Sequence, residues 1–243
     1  MGETGKSPPG GRDGRLASST DRARRIDPLK PSTGELTDLD QARARITTAM
    51  IDLCFERGYR NIELAELLAR AGVGEADFHR LYVDLEDCFC LVYTEIRDDF
   101  LARLERALAD QPDWRGRLRA SAYVLLRFLT EDEKVTHLGT VEVQSAGERS
   151  QRLFAEATTR LYELIDEGRD ERRLPDSITP ATAQAIGGAI FVQIYAAVDH
   201  GNLDEAAVPK LMYSAVLPYL GAEAAAAELS APPPSAPESD KDR

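Results

Sequence analysis

The stretch that most constrains the fold covers residues 61–82, where two short helical patterns flank residues 71–74. The first pattern gathers its apolar residues on one side of a helix, and the second turns Phe78 inward. Gly72, which follows the first helix, can take the left-handed conformation that a sharp turn between two helices needs. The stretch therefore predicts a helix-turn-helix, a motif whose second helix enters the major groove of DNA.

Helical periodicity continues on both sides of this motif, and no segment shows the alternation of a β-strand. Thr37 and Asp40 predict a capping box at the start of a first helix, and Asp84 is expected to cap a long helix after the motif. The last helix is expected to bend near Pro218. The predicted fold is all-α, with about nine helices in a three-helix N-terminal helix-turn-helix domain and a helical C-terminal regulatory and dimerisation domain.

The same patterns divide the chain into four segments. We predict a disordered, Arg-containing arm over 1–36, a DNA-binding domain over 37–83, a ligand-binding and dimerisation domain over 84–222, and a disordered tail over 223–243. The first thirty residues carry seven basic and four acidic side chains, which suits either an arm lying along DNA or a solubilising tail. The alanine-rich run 222–228 could instead extend the last helix.

Composition restricts the possible functions. A formal net charge of −12 argues against holding nucleic acid by bulk charge, but it leaves room for a local basic patch. The three cysteines, Cys54, Cys88 and Cys90, have no metal-type spacing and no signal peptide precedes them, which favours reduced thiols in the cytoplasm. We find no apolar run of about 18 residues, so no membrane partner is expected. No nucleophile elbow, paired-histidine motif or phosphate-binding loop is present, so we expect neither an enzyme nor a bound metal or cofactor.

Residues 43–89 resemble the TetR family of bacterial transcriptional regulators. The matching motifs are Arg57-Gly58-Tyr59, Ala71-Gly72-Val73 twelve residues later, 78–82 and 84–87. Residues 146–148, 185–191 and 217–221 look like the C-terminal domain of actinobacterial members, so the resemblance covers about 40–221. It implies a helical effector domain, homodimerisation through the last two helices, and repression relieved by a small apolar ligand.

The chain departs from the family pattern where DNA would be touched. Glu75 and Asp77 lie in a first turn that commonly reads Ser-Lys-Gly-Thr, and residues 36–83 carry eight acidic but six basic side chains. In one interpretation Arg80 forms hydrogen bonds with a guanine and His79 contacts a phosphate or a base edge. Glu75 or Asp77 then accepts a hydrogen bond from cytosine N4. In the other, the acids only stabilise the helix dipole, by about 0.3–1 kcal/mol each, and the motif survives as packing. The predicted DNA contacts are Arg43, Arg45, Tyr59, Arg60, Gly74, Glu75, Ala76, Asp77, His79 and Arg80.

Two further groups of residues are candidates for sites in the C-terminal half. Aromatic side chains between helices predict an effector pocket, although each also suits ordinary core packing; they are Trp114, Tyr123, Phe128, Phe154, Tyr162, Phe191 and Tyr195. Small residues lie along one side of the helix expected near 180–200. They predict that another helix approaches it closely, either across a dimer interface or within the chain. The predicted interface residues are Ala183, Gly187, Ile190, Ile194, Leu211 and Ala215. The polar residues His137, Glu142 and Gln144 suit either a pocket or the surface.

The sequence thus predicts a ligand-responsive transcriptional regulator, a repressor that binds palindromic operator DNA as a homodimer. The alternative is a dimeric ligand-sensing or protein-interaction module of the same fold with weak or lost DNA binding. The expected partners are double-stranded DNA, a small apolar effector and a second copy of the chain.

Overall fold

The computed structural model describes residues 37–170, 178–200 and 204–234, and within these ranges it contains nine α-helices and no β-strand. The prediction of an all-α fold is confirmed, whereas the predicted arm over 1–36 lies outside the described residues. The helices are α1 (Asp38–Arg57), α2 (Leu64–Ala71), α3 (Glu75–Leu81), α4 (Leu85–Ala109), α5 (Trp114–Glu131), α6 (Glu133–Thr140), α7 (Glu148–Asp166), α8 (Pro180–Asp199) and α9 (Val208–Glu228). Short 3-10 turns occupy Tyr59–Asn61, Glu142–Gln144, Glu167–Arg169 and Glu205–Ala207.

Local polar side chains determine where several helices begin. The Thr37 hydroxyl accepts from the Asp40 N–H at 3.2 Å and the Asp40 carboxylate accepts from the Thr37 N–H at 3.2 Å, which is the predicted capping box. Asp84 caps α4 by accepting from the Asp87 N–H at 2.8 Å. Asp113 caps α5 in the same way through the Gly116 N–H at 2.7 Å.

Helices α1, α2 and α3 form the predicted helix-turn-helix unit. Gly72 ends α2 in the left-handed region, with φ 62° and ψ 41°, and the next N–H donates to the Leu68 carbonyl at 3.1 Å. The core of the unit is built from fully buried side chains, among them Ile46, Leu53, Leu67 and Phe78. This core does not end at residue 83, because buried residues of later elements continue it, namely Cys88, Phe89, Val92, Tyr93, Leu138, Val143 and Ala146.

A second core joins α5, α7, α8 and α9. Trp114 at the start of α5 is fully buried, and its indole N–H donates to the Leu164 carbonyl of α7 at 2.8 Å. Its ring meets Tyr219 of α9 edge to face at 5.3 Å between centroids. Helix α5 is therefore central to the C-terminal half, as its nearly all-round apolar pattern predicted.

The C-terminal helix corrects two expectations. Its break lies at Gly221, with φ 80° and ψ 178°, and not near Pro218. The helix then continues to Glu228, so the prediction that the disordered tail begins at 223 was wrong for its first six residues. The Glu228 carboxylate is buried and accepts two hydrogen bonds from Arg119 of α5, at 2.6 and 3.0 Å, with Arg115 at 3.5 Å. These ion pairs hold the alanine-rich segment against the domain.

Helix α8 corrects the expectation that no apolar stretch is long enough to cross a membrane. The segment Pro180–Val198 contains no charged residue and passes that test by length and composition, with 17% of it buried. One face of α8 nevertheless forms a wall of the C-terminal domain, because Ala183, Gly187 and Ile194 are buried against neighbouring helices. The absence of a membrane partner remains a prediction.

Two adjacent glycines of α8 provide a test of this packing. A Cβ atom at Gly187 would lie 2.4 Å from two ring carbons of Tyr162, whereas one at Gly188 would meet nothing within 4 Å. We expect Gly187→Ala to destabilise the fold by about 1–3 kcal/mol, because the overlap outweighs the gain in helix propensity. We expect Gly188→Ala to be neutral or to stabilise by up to about 1 kcal/mol. Urea unfolding of both variants measures the difference, and equal losses would contradict this packing.

Candidate functional site

The exposed surface of α3 is the first candidate site, because the predicted DNA contacts 74–77, His79 and Arg80 are all exposed there. The two basic groups of the helix each face an acid of the same helix. Arg80 Nη1 lies 3.4 Å from Asp77 Oδ1, and His79 Nε2 lies 3.7 Å from Glu75 Oε1. The helix thus presents paired charges rather than free cations.

The other predicted DNA contacts are held by intrachain partners. Arg43 pairs with Glu95 of α4, and Arg45 Nε donates to the Ala71 carbonyl at 3.1 Å. Arg60 Nε donates to the Ser145 carbonyl at 3.3 Å. The Tyr59 ring packs edge to face on Phe89 at 4.8 Å, and burial raises its pKa to about 12. DNA contact by these four residues remains a prediction, and the structure gives each of them a role within the fold.

A buried carboxylate joins the helix-turn-helix unit to the C-terminal half. Glu142 accepts from the Tyr59 N–H at 2.7 Å and from the Ser145 hydroxyl at 3.2 Å. Its other oxygen lies 3.1 Å from His137 Nε2. From the sequence, Glu142 was expected either in a pocket or on the surface, and this contact was not predicted. Nothing in the periodicity could reveal it, because Glu142 lies in a 3-10 turn and its partner is 83 residues away.

The turn that follows Glu142 strengthens the same junction. Arg149 Nη1 lies 2.7 Å from the carboxylate of Asp87, which is in the first turn of α4. Gly147 has φ 124°, and a Cβ atom there would lie 2.8 Å from Glu86 Oε1. The positive φ at this position favours glycine. We call the contacts of Glu142 with Tyr59 and of Arg60 with Ser145 the junction.

Two adjoining cavities in the C-terminal half form the second candidate site. The α6 cavity, of about 100 Å³, lies between α4, α5, α6, α7 and α8, and the α9 cavity, of about 80 Å³, lies between α5, α7, α8 and α9. The two cavities share five lining residues, which are Leu125, Thr158, Leu161, Phe191 and Ile194. Among the residues that the structure describes, no group of three or more His, Cys, Asp or Glu side chains could hold a metal ion.

The aromatic residues predicted for an effector pocket divide into two groups. Phe128 and Phe154 line the α6 cavity, Tyr162 lines the α9 cavity, and Phe191 lines both. Trp114, Tyr123 and Tyr195 line neither of these two cavities, so their part in an effector pocket stays a prediction. Trp114 and Tyr123 are buried in the second core and Tyr195 is exposed on α8. Hydrophobicity identified aromatic residues of the domain but could not distinguish a cavity wall from solid packing.

The residues predicted for a dimer interface face neighbouring helices of the same chain, and their contact with a second copy stays a prediction. Gly187, Ile190, Ile194, Leu211 and Ala215 line the α9 cavity, and Ala183 is buried in the second core. A side chain that is already buried in its own protomer offers little surface to a partner. The small residues of α8 serve intrachain packing, as the Gly187–Tyr162 contact shows. This outcome corresponds to the alternative that the sequence left open.

Comparison with known proteins places the fold. No family model matches the sequence, and no curated protein matches it. The transcriptional regulator FadR from Bacillus subtilis, solved in complex with stearoyl-CoA, is 16% identical, with a TM-score of 0.62 over 71% of this chain and 97% of that one. A putative TetR-family regulator from Syntrophomonas wolfei is 17% identical, with a TM-score of 0.61 over 74% and 96%. A TetR-family regulatory protein from Rhodococcus RHA1 is 17% identical, with a TM-score of 0.59 over 74% and 97%. The chain therefore has the all-α fold of TetR-family and FadR-like transcriptional regulators.

Proposed function

We propose that this protein is a TetR-family transcriptional repressor that binds palindromic operator DNA as a homodimer and responds to a small apolar ligand. The observation that carries the proposal is the combination in one fold of an exposed helix-turn-helix with an apolar cavity behind it. The junction connects the two, so a ligand that changed the cavity wall could change the position of the DNA-binding unit. A cytoplasmic location follows from this role.

The strengths of the interactions open to Arg80 favour DNA binding despite the acidic first turn of α3. The side chains of Arg80 and Asp77 are 62% and 53% exposed, and an exposed pair of this kind contributes only about 0–1 kcal/mol. A bidentate contact between an arginine and a guanine contributes about 1–3 kcal/mol of discrimination. The ion pair is therefore too weak to prevent Arg80 from turning to a base. Two half-sites bound by one dimer would add affinity through effective concentration.

The lining of the cavities supports a small apolar effector. A typical ligand pocket encloses about 300–1,000 Å³, whereas a dry cavity of about 150 Å³ already binds benzene. Cavities of about 80 and 100 Å³ that adjoin each other suit a single ring or a short chain, and a larger ligand would have to open them. The stearoyl-CoA complex of the FadR relative supports an effector with an acyl chain.

The outward face of α8 supports dimerisation and replaces the interface residues predicted from the sequence. Val192 is 67% exposed, and Tyr195 of α8 and Leu217 of α9 are each more than one-third exposed. Because Pro180–Val198 carries no charge, a second copy of the same surface could cover it without burying an unpaired ion. We propose an isologous interface centred on these three side chains.

A second candidate function is the ligand-sensing or protein-interaction module with weak DNA binding. The paired charges on α3 and the intrachain partners of Arg43 and Arg60 favour it. Under this alternative the helix-turn-helix is retained because it shares its core with α4 and α6.

Two steps distinguish the two functions: selection of bound sequences from random DNA duplexes, and then an electrophoretic shift titration at about 150 mM salt. We expect one palindromic sequence to be enriched over bulk DNA. Arg80→Ala should then cost about 1–3 kcal/mol and relax specificity at one base pair of each half-site.

The matched control is Arg160→Ala. Arg160 of α7 also forms an ion pair at 3.4 Å with an acid three residues away on its helix, Glu163, but it is far from the helix-turn-helix in sequence. This variant should bind like the wild type. Equal binding by both variants would remove Arg80 from base contact, and no enriched sequence would leave the ligand-sensing module as the better account.

Sedimentation velocity of the full chain tests the proposed interface. We expect the wild type to sediment as a dimer, and Val192→Glu to shift it to a monomer because each interface would bury an unpaired carboxylate. Val83→Glu is the control, since Val83 is even more exposed but precedes α4. A monomeric wild type, or a dimer that survives Val192→Glu, would contradict the interface.

A further inference from the structure

Three threonines line the α6 cavity, and their hydroxyl groups already form hydrogen bonds within the protein. Thr136 donates to the Leu129 carbonyl at 2.8 Å and Thr140 donates to the Thr136 carbonyl at 2.7 Å. Thr158 donates to the carbonyls of Phe154 and Ala155, at 3.1 and 3.0 Å. These bonds present the methyl groups of the threonines, rather than free donors, to a ligand.

Arg97 is the one charged residue in the wall of this cavity. Its side chain is only 18% exposed, and its Nε and Nη2 atoms lie 2.9 and 2.8 Å from Asp98 Oδ1. Nη1 lies 3.9 Å from Glu156 Oε2, which is beyond hydrogen-bonding distance. Both acids are more than half exposed. Arg97 thus lines the apolar cavity while its guanidinium lies beside two partly exposed acids, and Nη1 makes no hydrogen bond within the described residues.

Tyr93 lies one turn before Arg97 on α4 and also lines the α6 cavity. Burial raises its pKa to about 12, against an opposing effect of the nearby Arg97 charge. The hydroxyl is therefore protonated at neutral pH and can donate to an anion. A cation and a neutral donor close together at the edge of an apolar cavity match a carboxylate attached to an apolar body.

We propose that the effector is an amphipathic carboxylic acid whose apolar body fills the α6 cavity and whose carboxylate pairs with Arg97. The inference deepens the proposed function, since it rests on the cavity being the effector site. A guanidinium accommodates a carboxylate through two parallel hydrogen bonds. Asp98 and Glu156 can release Arg97 because water solvates them well once they are unpaired. A neutral ligand of the same shape would leave Arg97 with its present partners and gain nothing from it.

Isothermal titration calorimetry of the full chain with sodium octanoate and with octanol tests the proposal. The two probes share the same chain and differ in the charged head. We expect octanoate to bind at least tenfold more tightly than octanol. Arg97→Gln should remove that preference and leave octanol binding within about threefold of the wild type. Arg97→Lys keeps the charge and should retain part of the preference.

The matched control is Arg106→Gln, because Arg106 is an exposed arginine of the same helix that lines neither cavity. It should keep the full preference for octanoate. Equal affinity for the two probes, a preference that survives Arg97→Gln, or no binding of either probe would overturn the proposal. Circular dichroism of each variant ensures that a loss of preference reflects the head group and not unfolding.

Calorimetry is carried out without DNA, so its outcome is separable from that of the operator selection. A preference for octanoate together with no enriched duplex would uphold the ligand and refute DNA binding. An enriched operator together with equal affinity for octanoate and octanol would uphold the regulator and refute the carboxylate.

Discussion

The Glu142 carboxylate is the interaction on which the relation between the two halves of this chain depends. A buried carboxylate is costly unless hydrogen bonds compensate it, and Glu142 receives them from the Tyr59 N–H, from Ser145 and from His137. In return it satisfies a backbone N–H at the end of the first helix, whose burial without an acceptor would cost about 1–3 kcal/mol.

Helix α6 connects this contact to the α6 cavity. Its residues Thr136 and Thr140 line the α6 cavity, and Glu142 follows its last residue by two positions. Near its other end, Lys134 Nζ lies 2.6 Å from Asp52 Oδ1 of α1. The same short helix is thus both a cavity wall and a support of the helix-turn-helix unit. A ligand that binds one position of α6 better than another would shift the equilibrium between these positions by its difference in binding free energy, and the contacts of α6 would carry that shift to the helix-turn-helix unit.

What the sequence could predict was the local structure. The capping box of Thr37, the cap of Asp84 and the left-handed Gly72 depend on residues within a few positions, and all three were predicted correctly. Small residues predicted a close helix approach along α8 and left open whether the neighbour belongs to the same chain; at Gly187 the neighbour is Tyr162. Pro218 was expected to bend α9, and the departure from helical geometry lies three residues further on, at Gly221, where φ is positive.

Long-range polar contacts could not be predicted from the sequence. Glu142 and Tyr59 are 83 positions apart, and Arg97 is part of a polar run on α4 that a helical pattern assigns to solvent. Only the three-dimensional arrangement of α4, α6 and α7 places Arg97 at a cavity. The candidate site was therefore predictable as a region, whereas the residues that give it charge and connection were not.

Hydrogen–deuterium exchange at the Tyr59 amide tests the central claim, that Glu142 connects the helix-turn-helix to α6. In Glu142→Ala we predict exchange at least tenfold faster at Tyr59 and faster exchange at the end of α6, with α5 unchanged. Glu133→Ala, at the exposed start of α6, should leave Tyr59 as it is in the wild type. Unchanged exchange at Tyr59 in Glu142→Ala would contradict the account.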